Sequence, residues 1–172
     1  MPSGNTYEPI ATYTTTGTPT TYTMSSIPST YTDIVLVGNF WFDGAGGQNF
    51  AMYVNGDGSS LYSTTNLGGN GSSASSSKQS SVGSWLLSYQ IGSPIAAGQA
   101  QMVAHFQNYS NTGINKTALI RMDAAGAPYP GTQAIVGLYR SNSAISSITI
   151  TGNSGTTIQP GSTFTIYGIK AA

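Results

Sequence analysis

The stretch AISSITITGNSGTTIQPGSTFTIYGIK, residues 144–170, decides the fold, because two alternating segments flank a loop built almost wholly of turn residues. In the first segment Ile148 and Ile150 fall on one side and Ser147, Thr149 and Thr151 on the other. In the second, Phe164 and Ile166 oppose Thr163, Thr165 and Tyr167, which is the period-2 pattern of a half-buried sheet. Gly152, Gly155 and Pro160-Gly161 supply the positive φ and fixed entry that turns need. The segments read as a pair of antiparallel strands, the second running almost to the last residue.

The rest of the chain repeats this pattern. Gly, Ser and Thr make up 68 of 172 residues, a bias that would mean disorder if the apolar residues were scattered. They gather instead into short alternating runs, so the small polar residues fill outer strand faces and turns. Going outward from the C-terminal pair, strands are expected at residues 7–13, with Pro9 placing it at a sheet edge, and at residues 20–27. Residues 33–42, DIVLVGNFWF, put Ile34, Leu36, Phe40 and Phe42 on one face and Val35, Val37 and Trp41 on the other. A strand apolar on both sides is either central in a sandwich or packed against a neighbouring subunit.

Residues 50–54 and 60–65 flank Asn55-Gly56-Asp57-Gly58, a strong short-range hairpin signal. Further strands are expected with Trp85, Leu87, Tyr89 and Ile91 alternating, at residues 99–107 with Ala100, Met102, Ala104 and Phe106 on one face, and at residues 117–122 and 133–140. Residues 1–6 read as a flexible lead and residues 67–83 as a long, exposed Gly/Ser-rich loop. No composition shift marks a second domain, so residues 1–172 read as one antiparallel all-β sandwich of about ten short strands, with a jelly roll its most economical form.

Five basic and five acidic side chains leave a formal net charge of zero and only 6% charged residues, far below the roughly 25% usual for soluble domains. So few charges protect a free monomer poorly against association, and permanent subunit contacts or a larger assembly are expected. Lys78, Lys116, Arg121, Arg140 and Lys170 are dispersed, which leaves nothing to neutralise a nucleic-acid backbone. No apolar run is long enough to cross a bilayer as a helix, and no basic segment followed by an apolar one opens the chain. Without Cys there are no disulfides, no thiol catalysis and no Cys-ligated zinc.

Chemistry finds few candidates. His105 is the only histidine, so a Ser, His, Asp triad would have to use it, yet it sits mid-strand opposite Phe106 and no G-x-S-x-G elbow occurs. A structural or interface role is expected for it. Glu8, Asp33, Asp43, Asp57 and Asp123 are the only carboxylates available as an acid and base pair, and all but Glu8 occupy turn or strand-end positions where Asp has local hydrogen-bonding reasons to be. The run at residues 55–59 lacks the acidic spacing of a calcium loop. Asn70, Asn108 and Asn115 match N-x-S/T, as chance allows in such a composition. Trp41, Trp85 and the 11 tyrosines could stack on sugar faces if exposed, but both tryptophans lie in strands whose other residues look buried. No catalytic, metal-binding or cofactor-binding residue is assigned, and no cofactor is expected.

Several segments carry a resemblance: SSIPSTYTDIVLV (residues 25–37), GNGSSASSS (69–77), NYSNT (108–112), KTALIR (116–121), VGLYRSNSAISSITIT (136–151) and GSTFTIYGIKAA (161–172). They resemble a family of small structural proteins of tailed bacteriophages, including cyanophages and marine phages, with IPSTYTD and the YGIK ending the most specific parts. The resemblance implies a jelly-roll module at the virion surface, often a homotrimer, with no catalytic motif to carry over. It also implies partners: further copies of the chain and virion proteins such as the major capsid protein. A capsid decoration (cement) protein is the expected role. The alternative is a tail-fibre or receptor-binding tip that recognises a host surface glycan.

Overall fold

The structure, a computed structural model, describes residues 6–43, 50–87, 100–124, 131–152 and 155–170. Its strands in chain order are β1 (Tyr7–Thr14), β2 (Thr21–Met24), β3 (Asp33–Phe40), β4 (Phe42–Asp43), β5 (Phe50–Val54), β6 (Tyr62–Gly69), β7 (Ala74–Val82), β8 (Trp85–Leu86), β9 (Ala100–Gln107), β10 (Lys116–Ala124), β11 (Gly131–Tyr139), β12 (Ile148–Gly152), β13 (Thr157–Ile158) and β14 (Thr163–Ile169). A wide eight-stranded sheet runs β1-β14-β3-β9-β10-β11-β6-β7, a narrow one runs β2-β12-β5-β8, and β13 pairs with β4. Every pairing is antiparallel. The antiparallel all-β sandwich expected from the sequence is the fold, with fourteen strands among the described residues where about ten are expected.

The inner faces are the ones alternation predicts. Ile34, Leu36, Phe40, Met102, Ala104, Phe106, Phe164 and Ile166 from the wide sheet meet Met24, Met52, Val54, Ile148 and Ile150 from the narrow one in one buried cluster. Each large aliphatic or aromatic side chain so buried contributes about 1.5–3 kcal/mol of transfer free energy. Aromatic rings join the layers: Phe40 of the wide sheet meets Phe50 of the narrow one edge-on at 5.7 Å, and Tyr22 of the narrow sheet stacks on Phe164 of the wide one at 6.1 Å between ring centres.

Two expected strand pairs do not form. The strands of the C-terminal stretch lie in different sheets: β12 pairs with β2 and β5, whereas β14 pairs with β1 and β3. Alternation specifies which face is buried, not which neighbour is bonded, and the loop between these strands is long enough to cross the sandwich and lend β13 to β4 on the way. The same holds at Asn55-Gly56. Both residues have positive φ, and the Asp57 N–H donates to the Val54 carbonyl at 3.0 Å, so the tight turn is present. Yet β5 goes on to pair with β12 and β6 with β11, so the turn makes a corner between sheets and not a hairpin. The Tyr62 hydroxyl fixes that corner by bonding the Val54 backbone and the Asp57 carbonyl.

The loop expected over residues 67–83 is corrected as well. Residues 67–69 finish β6 and residues 74–82 are β7, paired with β6 in one register from Gly69↔Ala74 to Ser63↔Ser80 and, past a shift at Ser81, at Tyr62↔Val82; only residues 70–73 turn, around an Asn70 side chain that accepts from the Ser72 and Ser73 N–H groups. β7 is an edge strand with both faces open, so it carries no apolar alternation to announce it. Pro9 does sit in the opposite edge strand, beside a register shift between Pro9 and Ala11. Of the lead expected over residues 1–6, residues 1–5 lie outside the described residues, as do the strand positions Tyr89 and Ile91, and Thr6 is exposed ahead of β1.

Candidate functional site

The carboxylates of Glu8, Asp33, Asp57 and Asp123 bond to separate partners. His105 Nε2 lies 3.0 Å from Asp33 Oδ2, and Asp33 Oδ1 accepts the Asn108 N–H at 2.8 Å, which ties the start of β3 to the end of β9. A carboxylate and a histidine are two thirds of a hydrolytic triad, but the residues opposite His105 are Val35 and Leu119, and neither is a nucleophile. Glu8 binds Lys170 at 2.9 Å and accepts the Tyr31 hydroxyl at 3.1 Å, and these bonds hold its carboxyl below the ordinary range. Asp57 accepts the Ser59 N–H and the Tyr139 hydroxyl, and the Ser59 hydroxyl, the Tyr139 hydroxyl and the Ser59 N–H, in that order, lower its pKa. Asp123 accepts from Thr132 and lies 3.4 Å from Arg121, one residue before the end of β10, and Asp43 ends β4, both strand-end positions as expected. Among the described residues no three His, Asp or Glu side chains gather as metal ligands, and no helix is long and apolar enough to cross a membrane.

Trp85 is wholly buried, its indole N–H donating to the Leu138 carbonyl at 3.2 Å and its ring set edge-on to Tyr62. Trp41 is half-buried. Trp85 is therefore a core residue and no platform for a sugar. Lys116 is a feature that the sequence does not announce. Its side chain is buried and its ammonium donates to the carbonyls of Asn111, Ile114 and Asn142 at 2.5, 2.7 and 3.1 Å, which closes the loop between β9 and β10. Burial pulls its pKa below the ordinary lysine value, against three carbonyl dipoles that favour the charged form.

The surface that stands out is the outer face of the wide sheet. Register places two adjacent rows across its middle. One runs Val35, His105, Leu119, Val136, Thr65, Lys78, and the next Val37, Val103, Arg121, Ala134, Leu67, Ser76. Val35 is buried at 7% exposure, and Val37 is 39% exposed. The aliphatic members beyond them are open to solvent: Val103, Leu119, Val136 and, at 60%, Leu67. They line a shallow depression of about 510 Å³ over β9, β10, β11 and β6. The rows to either side are mostly uncharged and polar, among them Gln101, Gln107, Thr117 and Thr132.

The doubly apolar strand at residues 33–42 pointed to this face, since Val35 and Val37 belong to it. The other members were missed. Their signal is an apolar residue on the wrong parity of an otherwise alternating strand: Val103 beside Met102, Leu119 beside Ala118, Val136 beside Ile135. Comparison with protein-family models, with characterised proteins and with solved structures finds no match for this chain.

Proposed function

We propose that this chain is a non-enzymatic structural protein of the phage virion surface, a capsid decoration (cement) protein that stabilises the head. The observation that carries this reading is the aliphatic band across the outer face of the wide sheet, in a chain whose charged residues are only 6%. A contiguous exposed apolar surface of this kind is costly in water and marks a surface that another protein covers. The dispersal of Glu8, Asp33, Asp43, Asp57 and Asp123 and the burial of Trp85 favour assembly over catalysis or sugar binding, and the resemblance to phage structural proteins supplies the particle. Its partners in this reading are copies of itself and the major capsid protein.

The test is to image particles with the protein labelled, and to heat particles assembled with and without it. Label over the head, together with earlier genome release when the protein is missing, is the expected result. Label on the tail would move the protein to the receptor-binding alternative. Release of reducing ends from host polysaccharide by the purified protein would overturn the non-enzymatic assignment.

A further inference from the structure

We infer that the occupant of the wide sheet's outer face is a second copy of this chain, packed sheet on sheet about a two-fold axis, so that the particle receives a dimer. The inference deepens the structural-protein reading and rests on it. Three observations select this occupant.

The first is area. Eight strands spaced about 4.8 Å apart, each rising about 3.3 Å per residue, give a face on the order of 34 Å by 26 Å, or roughly 900 Å². A stable interface needs about 800 Å² per partner. One face of this sheet is thus large enough to hold a dimer without help from loops.

The second is charge. The face carries both signs, with Arg121 beside Asp123 and with one further charge of each sign at Lys78 and Asp33. A copy laid on it meets no net field, whereas a strongly acidic or basic partner finds nothing to complement. The third is the lack of an alternative match. On the narrow sheet the outward rows pair Thr21 with Thr151 at 2.9 Å and Thr23 with Thr149 at 3.0 Å, and their apolar members Tyr53, Ala51 and Leu86 are half-buried or buried. Among the described residues the other large exposed apolar side chains, Tyr7 and Ile114, stand singly. A trimer needs two unlike patches that fit each other, while one flat apolar face closes on itself as an isologous pair. Two such faces pack about 10 Å apart, with strands crossing at about 30°, which would place Leu119 and Val136 near the centre.

Sedimentation equilibrium over a range of concentrations tests this on the wild-type chain, on Leu119→Lys and on Thr21→Lys, with circular dichroism and thermal unfolding confirming that each variant folds. The expected result is a two-chain mass for wild type and Thr21→Lys, and a dissociation constant at least 30-fold weaker for Leu119→Lys, about 2 kcal/mol. A monomer at every concentration, a three-chain mass, or a dimer indifferent to Leu119→Lys overturns the inference. Adding the same proteins to particles that lack them separates the two readings. If wild type is monomeric but Leu119→Lys fails to attach, the face belongs to the shell and the structural role stands without the dimer. If the dimer forms as expected but does not bind or stabilise particles, the dimer stands and the structural role falls.

Discussion

Asp57 and Lys116 show what single polar side chains do in a chain with so few of them. Asp57 receives the Ser59 N–H at 2.8 Å and the Tyr139 hydroxyl at 2.6 Å, and so joins the corner between sheets to the end of β11. Replacing it by Ala should cost about 1–2 kcal/mol in urea unfolding at neutral pH, since two acceptors are lost. The sign of the pH dependence follows from its lowered pKa. The unfolded chain binds the proton more readily, so the Asp57 contribution is complete above the ordinary carboxylate value of 3.8 and fades as pH falls through the lower folded value. The gap between wild type and Asp57→Ala should therefore narrow in acid, and a gap constant down to pH 2 would contradict the assignment. Lys116→Met removes the only side-chain donor shown for three clustered carbonyls while preserving the length of the apolar stem. A loss of about 2–4 kcal/mol is expected, measured by the same unfolding, because the partners are left unsatisfied in a buried site.

At the scale of the strand, alternation was enough to name the buried residues and not enough to name the neighbours. Ile148, Ile150, Phe164 and Ile166 could be placed on an inner face from period alone, because the pleat has no other way to bury them. That β12 and β14 belong to opposite sheets is a long-range fact, set by the core they share and by no residue in the loop between them. β7 escaped because a serine strand exposed on both faces has no hydrophobic period; its order comes from main-chain pairing to β6. The docking face was half legible for the opposite reason, since Val35 and Val37 sit in a run apolar enough to notice while Leu119 hides inside a normal alternation. Glycine also acts at this scale. A Cβ on Gly137 would lie 2.8 Å from the Trp85 indole nitrogen, so β11 presents bare backbone where the indole must lie. Gly137→Ala should push Trp85 out of place, at a cost of about 1–3 kcal/mol by overpacking. A drop in melting temperature with a red-shifted tryptophan emission would confirm it; an unchanged melting temperature would mean that the ring moves freely.

For the whole molecule, the balance between charge and apolar surface predicts how association responds to solvent. The ten formally charged side chains divide evenly by sign, and on the wide sheet's outer face Arg121 lies beside Asp123 while Lys78 and Asp33 add one charge of each sign. Salt screens exposed charges within roughly 8–10 Å near physiological strength, so raising NaCl tenfold removes little from an interface whose charges already cancel in place. Burial of the Val37, Val103, Leu119, Val136 and Leu67 side chains depends instead on water, and it should weaken on cooling and strengthen with sulfate, which is excluded from protein surfaces. Between 0.05 and 0.5 M NaCl the dimer constant should therefore change by less than about threefold, whereas 0.5 M ammonium sulfate should tighten it and cooling to about 5 °C should loosen it. Sedimentation at each condition decides the matter. An association that weakens steeply with NaCl would shift the contact from the aliphatic rows to the charges of Asp33, Lys78, Arg121 and Asp123, and two copies would then meet by their charges and not by their sheets.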